Sequence, residues 1–202
     1  MMTLEEQLHN AGLTVFGCCE PLTRYGAEFL QTSPLLEDLT PAEADILGAS
    51  MLLIRAQPGQ VMIQEGEAGD WMMLVLKGTV DITKQLTTRS DMAIANAVTP
   101  AKASNPANPI NPANSTNVSR VAVVRRGAAI GEMSMLDREP RYASCTAIDA
   151  VEAGVLGQQA IAVLIRDHPA VGAKLLVKIT QLMAQRLRNT SNRLVKLLRQ
   201  KP

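Results

Sequence analysis

Between residues 51 and 85 the chain runs in short apolar stretches, each cut by a turn pair: Pro58-Gly59, Glu65-Gly66, Gly69-Asp70 and Lys77-Gly78. Strand-length apolar runs, punctuated every 7 to 12 residues, predict antiparallel strands in a sandwich or barrel rather than alternating βαβ units. The same texture returns at Val121-Ala122-Val123-Val124, turns at Gly127, and ends in strands over about 141–150 and 151–156. Helical patterns flank this region. Thr3 with Glu6 three residues on has the form of a capping box, which predicts a short helix from residue 4. A second helical stretch begins near Ser33-Pro34, pauses at Leu39-Thr40, and restarts at Pro41 to run to about Gly48. Near the other end a helix over about 158–167 gives way at Pro169 to a long final one.

In that final helix, Leu176, Thr180, Met183, Leu187, Thr190, Leu194 and Leu197 are spaced alternately by four and three. Such a heptad seam is the pattern of two helices packed along their length. Leu175, Ile179 and Leu182 make a second stripe, suited to covering the domain's own strands. Two apolar faces call for two partners. The seam carries two threonines, and a hydroxyl buried there without a partner costs stability.

Composition narrows the reading. Of 202 residues 47% are apolar but only 2% aromatic, so the core must be aliphatic and there is no platform for stacking nucleic-acid bases. One well-buried domain with an extension fits this length. From about Thr87 to Ser119 the sequence turns to Asn, Pro, Ala, Ser and Thr, with Asn-Pro at 105, 108 and 111, and is expected to be a disordered loop between two strands. Three cysteines, with Cys18 and Cys19 adjacent, form neither a disulfide framework nor a Cys-x-x-Cys site. Two histidines far apart in sequence, His9 and His168, do not make a metal centre. No apolar run is long enough to span a bilayer and the N-terminus is acidic where a secretory signal is basic, so a cytoplasmic location is expected. The net charge of +1 hides an asymmetry. Residues 168–202 carry eight basic and no acidic side chains, which leaves 12 basic against 19 acidic, or −7, in residues 1–167.

The chemistry concentrates between Gly131 and Ala147, in the run Gly-Glu-Met-Ser-Met-Leu-Asp-Arg-Glu-Pro-Arg-Tyr-Ala-Ser-Cys-Thr-Ala. Arg141, behind Pro140, offers charge and a planar fork that grips phosphate in two places, which lysine does not. Residues 130–136 are expected to form a short helix whose first free N–H groups face an anion. Glu132 beside a phosphate would be repulsive unless a hydroxyl lies between them, so the pair suits a ligand carrying both a sugar hydroxyl and a phosphate. Order and spacing here resemble the phosphate-binding cassette of the cyclic-nucleotide-binding domain family. The run Val61-Met62-Ile63-Gln64-Glu65-Gly66, followed by Asp70 to Val80, resembles the front half of that fold, with Gly66 and Gly78 as turn residues. Met183-Ala184-Gln185-Arg186-Leu187-Arg188-Asn189-Thr190-Ser191 is similar to the dimerisation helix of the family's cAMP-receptor branch.

The resemblance covers roughly residues 34–200 without the Asn-Pro loop. It implies a mainly β fold with flanking helices, an eight-stranded double-stranded β-helix jelly roll with a long C-terminal dimerisation helix. The implied division is 1–33, a segment of unknown role; 34–167, the cyclic-nucleotide-binding domain; and 168–202, the dimerisation helix. Gly131, Glu132, Met133, Ser134, Arg141 and Tyr142 are then the phosphate and ribose residues, and Thr190 and Ser191 the base readers, the serine reaching across a homodimer. Arg186 supports them from behind. Tyr142 stands where the family usually has a small residue, so its phenol would crowd or stack on the nucleotide. The family's transcription factors continue into a helix-turn-helix domain, and too few residues follow Thr190 here to form one, so sequence-specific DNA binding is not expected. The expected function is that of a non-enzymatic receptor without cofactor. It takes cAMP as regulatory ligand and signals through the dimer helix to a protein partner, acidic to match the basic end. Two alternatives stand: cGMP or cyclic di-GMP in the same fold, or a protein interaction module with a vestigial pocket.

Overall fold

The computed structural model describes residues 2–85 and 118–199. The expected Asn-Pro loop lies almost wholly outside the described residues. Two capping boxes set the first helices. Thr3 and Glu6 close α1 (Leu4–Asn10), and Thr40 and Glu43 close α3 (Pro41–Ala49), where Pro41 holds the first turn. Between them come β1 (Thr14–Cys18), a 3-10 turn (Leu22–Tyr25) and α2 (Ala27–Thr32). The strands β2 (Leu52–Ala56), β3 (Val61–Ile63), β4 (Trp71–Lys77), β5 (Thr79–Gln85), β6 (Val118–Arg125) and β7 (Ala129–Ile130) follow. Then come α4 (Glu132–Asp137), β8 (Ser144–Ala147), β9 (Val151–Gly157), α5 (Gln158–Asp167) and α6 (Pro169–Arg199).

The strands pair antiparallel in two sheets, β1-β2-β9-β4-β7 and β3-β8-β5-β6. This is the expected jelly roll with flanking helices. Nine strands, not eight, occur among the described residues. The addition is β1, which pairs with the edge of β2 through a register shift between Val15 and Cys18.

Strand β4 shows why the middle of the sequence is so uniformly apolar. Successive side chains of a strand face opposite ways. Trp71, Met73 and Val75 point between the sheets, where they meet Ile54, Met62, Ile63, Val80, Ile130 and Val155. Met72, Leu74 and Leu76 point to the outer face and pack beneath Phe29, Leu47, Leu164, Leu175 and Ile179 of the helices. A strand buried on both faces needs no polar alternation. Residues 1–33, whose role the sequence leaves open, enter both layers: Leu8 and Leu13 fill the inter-sheet core, and Leu22 and Phe29 the outer one.

Candidate functional site

The Gly131–Ala147 segment folds as the end of β7, α4, a loop and β8. Gly131 precedes α4 in the left-handed region (φ 79°), and a Cβ there would lie 2.8 Å from Arg141 Nη1 and 3.0 Å from Ile63 Cδ1. Only glycine meets both demands. Its neighbour Glu132 is 1% exposed and Ser134 is also buried, while Met133 between them faces outward.

Arg141 is 4% exposed. Its backbone is clamped to the 64–67 turn: the Arg141 N–H donates to Glu67 O at 2.8 Å, and Gly66 N–H donates to Arg141 O at 2.9 Å. The side chain lies over the Trp71 ring with its central carbon 4.2 Å from the ring centroid, and Nη1 donates to Gly131 O at 2.7 Å. A Cβ on Gly69 would fall on the guanidinium. Burial draws the Arg141 pKa down to about 10, opposed by the negative potentials of Cys145, Asp70, Glu132 and Glu67. It is still a cation at neutral pH. Its Nη2 is buried and has no hydrogen-bond partner.

Glu132 is half satisfied. Oε1 accepts from Arg186 Nη1, reaching in from α6, and Arg186 Nη2 donates to Ala129 O at 2.6 Å. Oε2 is buried without a partner. Buried polar atoms are almost always paired. Here one cationic donor and one anionic acceptor, nine residues apart and both buried, are left open. No group of three or more His, Cys, Asp or Glu among the described residues is placed to hold a metal ion.

No family model matches the chain. It is 27% identical over 130 residues to the cAMP-dependent protein kinase regulatory subunit of Yarrowia lipolytica, covering 64% of this chain and 27% of that one. It is 25% identical over 171 residues to the CRP-like cAMP-activated global transcriptional regulator of Mycobacterium tuberculosis, covering 85% of this chain and 62% of the relative. Thus the chain spans under two thirds of either relative's length. Among solved structures, a cyclic nucleotide-binding domain from Methylobacillus flagellatus superposes with TM-score 0.68 at 25% identity, over 96% of this chain and 92% of the other. Catabolite Activator Protein from Thermus thermophilus gives 0.62 at 24% identity, over 82% and 63%. The fold is that of a cyclic-nucleotide-binding domain.

Within this fold Tyr142 turns away from the buried guanidinium. Its side chain is 57% exposed, and Lys84 Nζ sits 4.3 Å from its ring centroid while donating to Tyr142 O at 2.7 Å and Glu65 Oε1 at 2.8 Å. The ring is held outward by a neighbouring strand.

The final helix divides. Leu175 and Ile179 are buried on the outer core, with Leu182 and Met183 packed beside them. Leu176, Thr180 and Leu187 of the seam are exposed, as are Thr190 and Ser191. The side chains of Leu194 and Leu197 lie outside the described residues. Both threonine hydroxyls bond back to their own helix, Thr180 to Leu176 O at 2.8 Å and Thr190 to Arg186 O at 3.0 Å. Within one chain, the structure brings Arg186 to the cassette and gives Thr190 a partner on its own helix. Trp71 and Gly69 are the site residues that sequence reasoning missed. The signal available was the single tryptophan of the chain, set directly after the Gly69-Asp70 turn.

Proposed function

We propose that this chain is a cyclic-nucleotide receptor with cAMP as its ligand, acting by binding rather than by chemistry. The observation that carries this reading is the pair of open buried groups, Arg141 Nη2 and Glu132 Oε2. A phosphate oxygen completes the first and a ribose hydroxyl the second, and a cyclic ribonucleotide presents both on one rigid ring. The names of the relatives support the same ligand class. Isothermal titration of the full chain with cAMP is expected to give micromolar or tighter affinity. Loss of one charge-assisted hydrogen bond costs roughly 1.5 to 3 kcal/mol, so Arg141→Ala weakens binding by about tenfold to well over a hundredfold. Arg141→Lys does not restore it, because the two-pronged geometry is gone. No heat with cAMP, cGMP or cyclic di-GMP overturns the proposal. Preference for a guanine nucleotide changes the ligand and keeps the site.

The output runs through α6. Arg186 shares Glu132 with the incoming hydroxyl, so ligand occupancy changes the hold of the pocket on this helix. The exposed seam residues Leu176, Thr180 and Leu187 then pack against the same helix of a second copy, and the basic end meets an acidic effector protein. Hydrogen exchange over residues 183–199 checks this. Protection is expected to rise at saturating cAMP, and unchanged protection sinks the signalling route.

A further inference from the structure

A buried guanidinium is costly unless something holds its charge, and the usual partner is a carboxylate. Among the described residues no ion pair includes Arg141, although the negative potentials of Asp70, Glu132 and Glu67 reach it. What lies against it instead is the indole of Trp71, with the central carbon of the guanidinium 4.2 Å from the ring centroid. The ring is itself fixed. It is buried in the core between the sheets, on β4, where Trp71 pairs with Gly157 of β9. The turn before β4 makes room for the stack, because a Cβ on Gly69 would collide with Nη2 and Nε of Arg141.

A ring and a carboxylate hold an arginine in different ways. A carboxylate occupies N–H groups of the fork and brings a negative charge that repels phosphate. A π face attracts the cation through its quadrupole, occupies no N–H and adds no net charge. Here Nη1 donates to Gly131 O, and Nη2 keeps its donors unpaired. Resting on the receptor reading above, we infer that Trp71 is the positioning residue of the site: its indole stands in for a counter-ion to Arg141 and holds the guanidinium in place with N–H groups open to the ligand phosphate. Without the ring, the cation turns to the carboxylates whose potential it already feels, and the phosphate must displace one of them. Apparent affinity then falls with the fraction of chains that keep Arg141 on the ring.

Trp71 is the single tryptophan of the chain, so expression with fluorinated tryptophan changes this ring alone. Fluorine draws electron density from the π face and leaves the shape of the indole nearly as it was. The test is calorimetric titration with cAMP of the full chain carrying tryptophan or its mono-, di- and trifluoro analogues, with Trp71→Phe and Trp71→Leu alongside. Thermal denaturation confirms that each protein is folded. Trp71→Leu is expected to weaken binding about fivefold to thirtyfold, Trp71→Phe less, and each added fluorine to weaken it further. Binding that ignores fluorine while Trp71→Leu still weakens it means that the ring only fills space, which overturns the inference and leaves the receptor reading standing. Parent-like binding by Trp71→Leu does the same. Failure of the parent chain to bind any cyclic nucleotide overturns both.

Discussion

From Pro169 to Leu182, α6 lies against its own domain. Leu175 and Ile179 are fully covered, Lys174 Nζ contacts both carboxylate oxygens of Glu43, and Lys178 is buried beneath Glu37 and Asp38. From Arg186 onward the same helix stands largely in solvent: Leu187 is 69% exposed, and Val195 and Leu198 are exposed as well. Arg186 reaches back to Glu132 and Ala129 from the beginning of this second half. Two stripes of the helix thus serve two purposes. In the first half the Leu175–Ile179 stripe, not the exposed heptad seam, anchors the helix by apolar burial, and in the second the anchor is a single guanidinium that reaches the Glu132 carboxylate. The half with the weaker hold is the half tied to the pocket, the arrangement a ligand needs if it is to move a helix by a modest free energy.

The largest effect should come from cutting the first anchor. Leu175→Ala removes a fully buried side chain from the outer core and is expected to cost about 2–5 kcal/mol in chemical denaturation. Leu187→Ala, at a side chain that stands 69% exposed, should leave the stability of the single chain within about 0.5 kcal/mol. Equal losses at the two positions would erase the distinction between the halves. Analytical ultracentrifugation of Leu187→Ala sharpens it further, since reduced self-association is expected there and not in Leu175→Ala.

An intermediate effect is expected at Arg186. Arg186→Met leaves the buried Glu132 carboxylate without its cation and should cost about 1–3 kcal/mol, less than a fully buried pair because Arg186 is partly exposed. Glu132→Gln in the same chain should recover part of that loss, since a neutral amide needs no counter-charge. A double-mutant cycle with no coupling would show that Arg186 holds α6 through Ala129 O alone.

The elements that sequence reasoning placed well are those written locally. The Thr3–Glu6 capping box, the prolines that start α3 and α6 and the glycine-punctuated strands each need only a few consecutive residues, and each folds as expected. What stayed hidden depends on distant partners. The strand β1 is five residues long, mostly exposed and contains Gly17, so its sequence carries little strand pattern, and it forms by pairing with β2. Trp71 lies under Arg141 because the two sheets close upon each other, a contact across 70 positions that no spacing records. The heptad in α6 marks apolar spacing and is silent about which stretches the domain itself covers. The outward turn of Tyr142 follows from Lys84 on β5, again a neighbour in space alone.

The smallest expected effect concerns two buried cations, Lys178 in the anchored half of α6 and Arg141 in the site. Hydrogen bonds from Lys178 to Asp38 and Glu37 raise its pKa above the ordinary lysine value. Its contribution is therefore complete below that ordinary value and is lost as pH rises through the raised one. Arg141 behaves oppositely. Burial brings its pKa down to about 10, so the folded chain gives up this proton more readily than the unfolded chain does. The cost of holding the charge is in full force below pH 10 and is relieved as pH climbs above it. Measured against Arg141→Gln, the parent should gain at most about 1.4 kcal/mol of stability per pH unit once past that point. Against Lys178→Met it should lose stability at higher alkaline pH. Phosphate binding at Arg141 should weaken in the same range, because the anion needs the charge that the fold is ready to release. Parallel pH profiles for the two variants would mean that Arg141 is as well paired as Lys178, and would remove the open guanidinium on which the receptor reading stands.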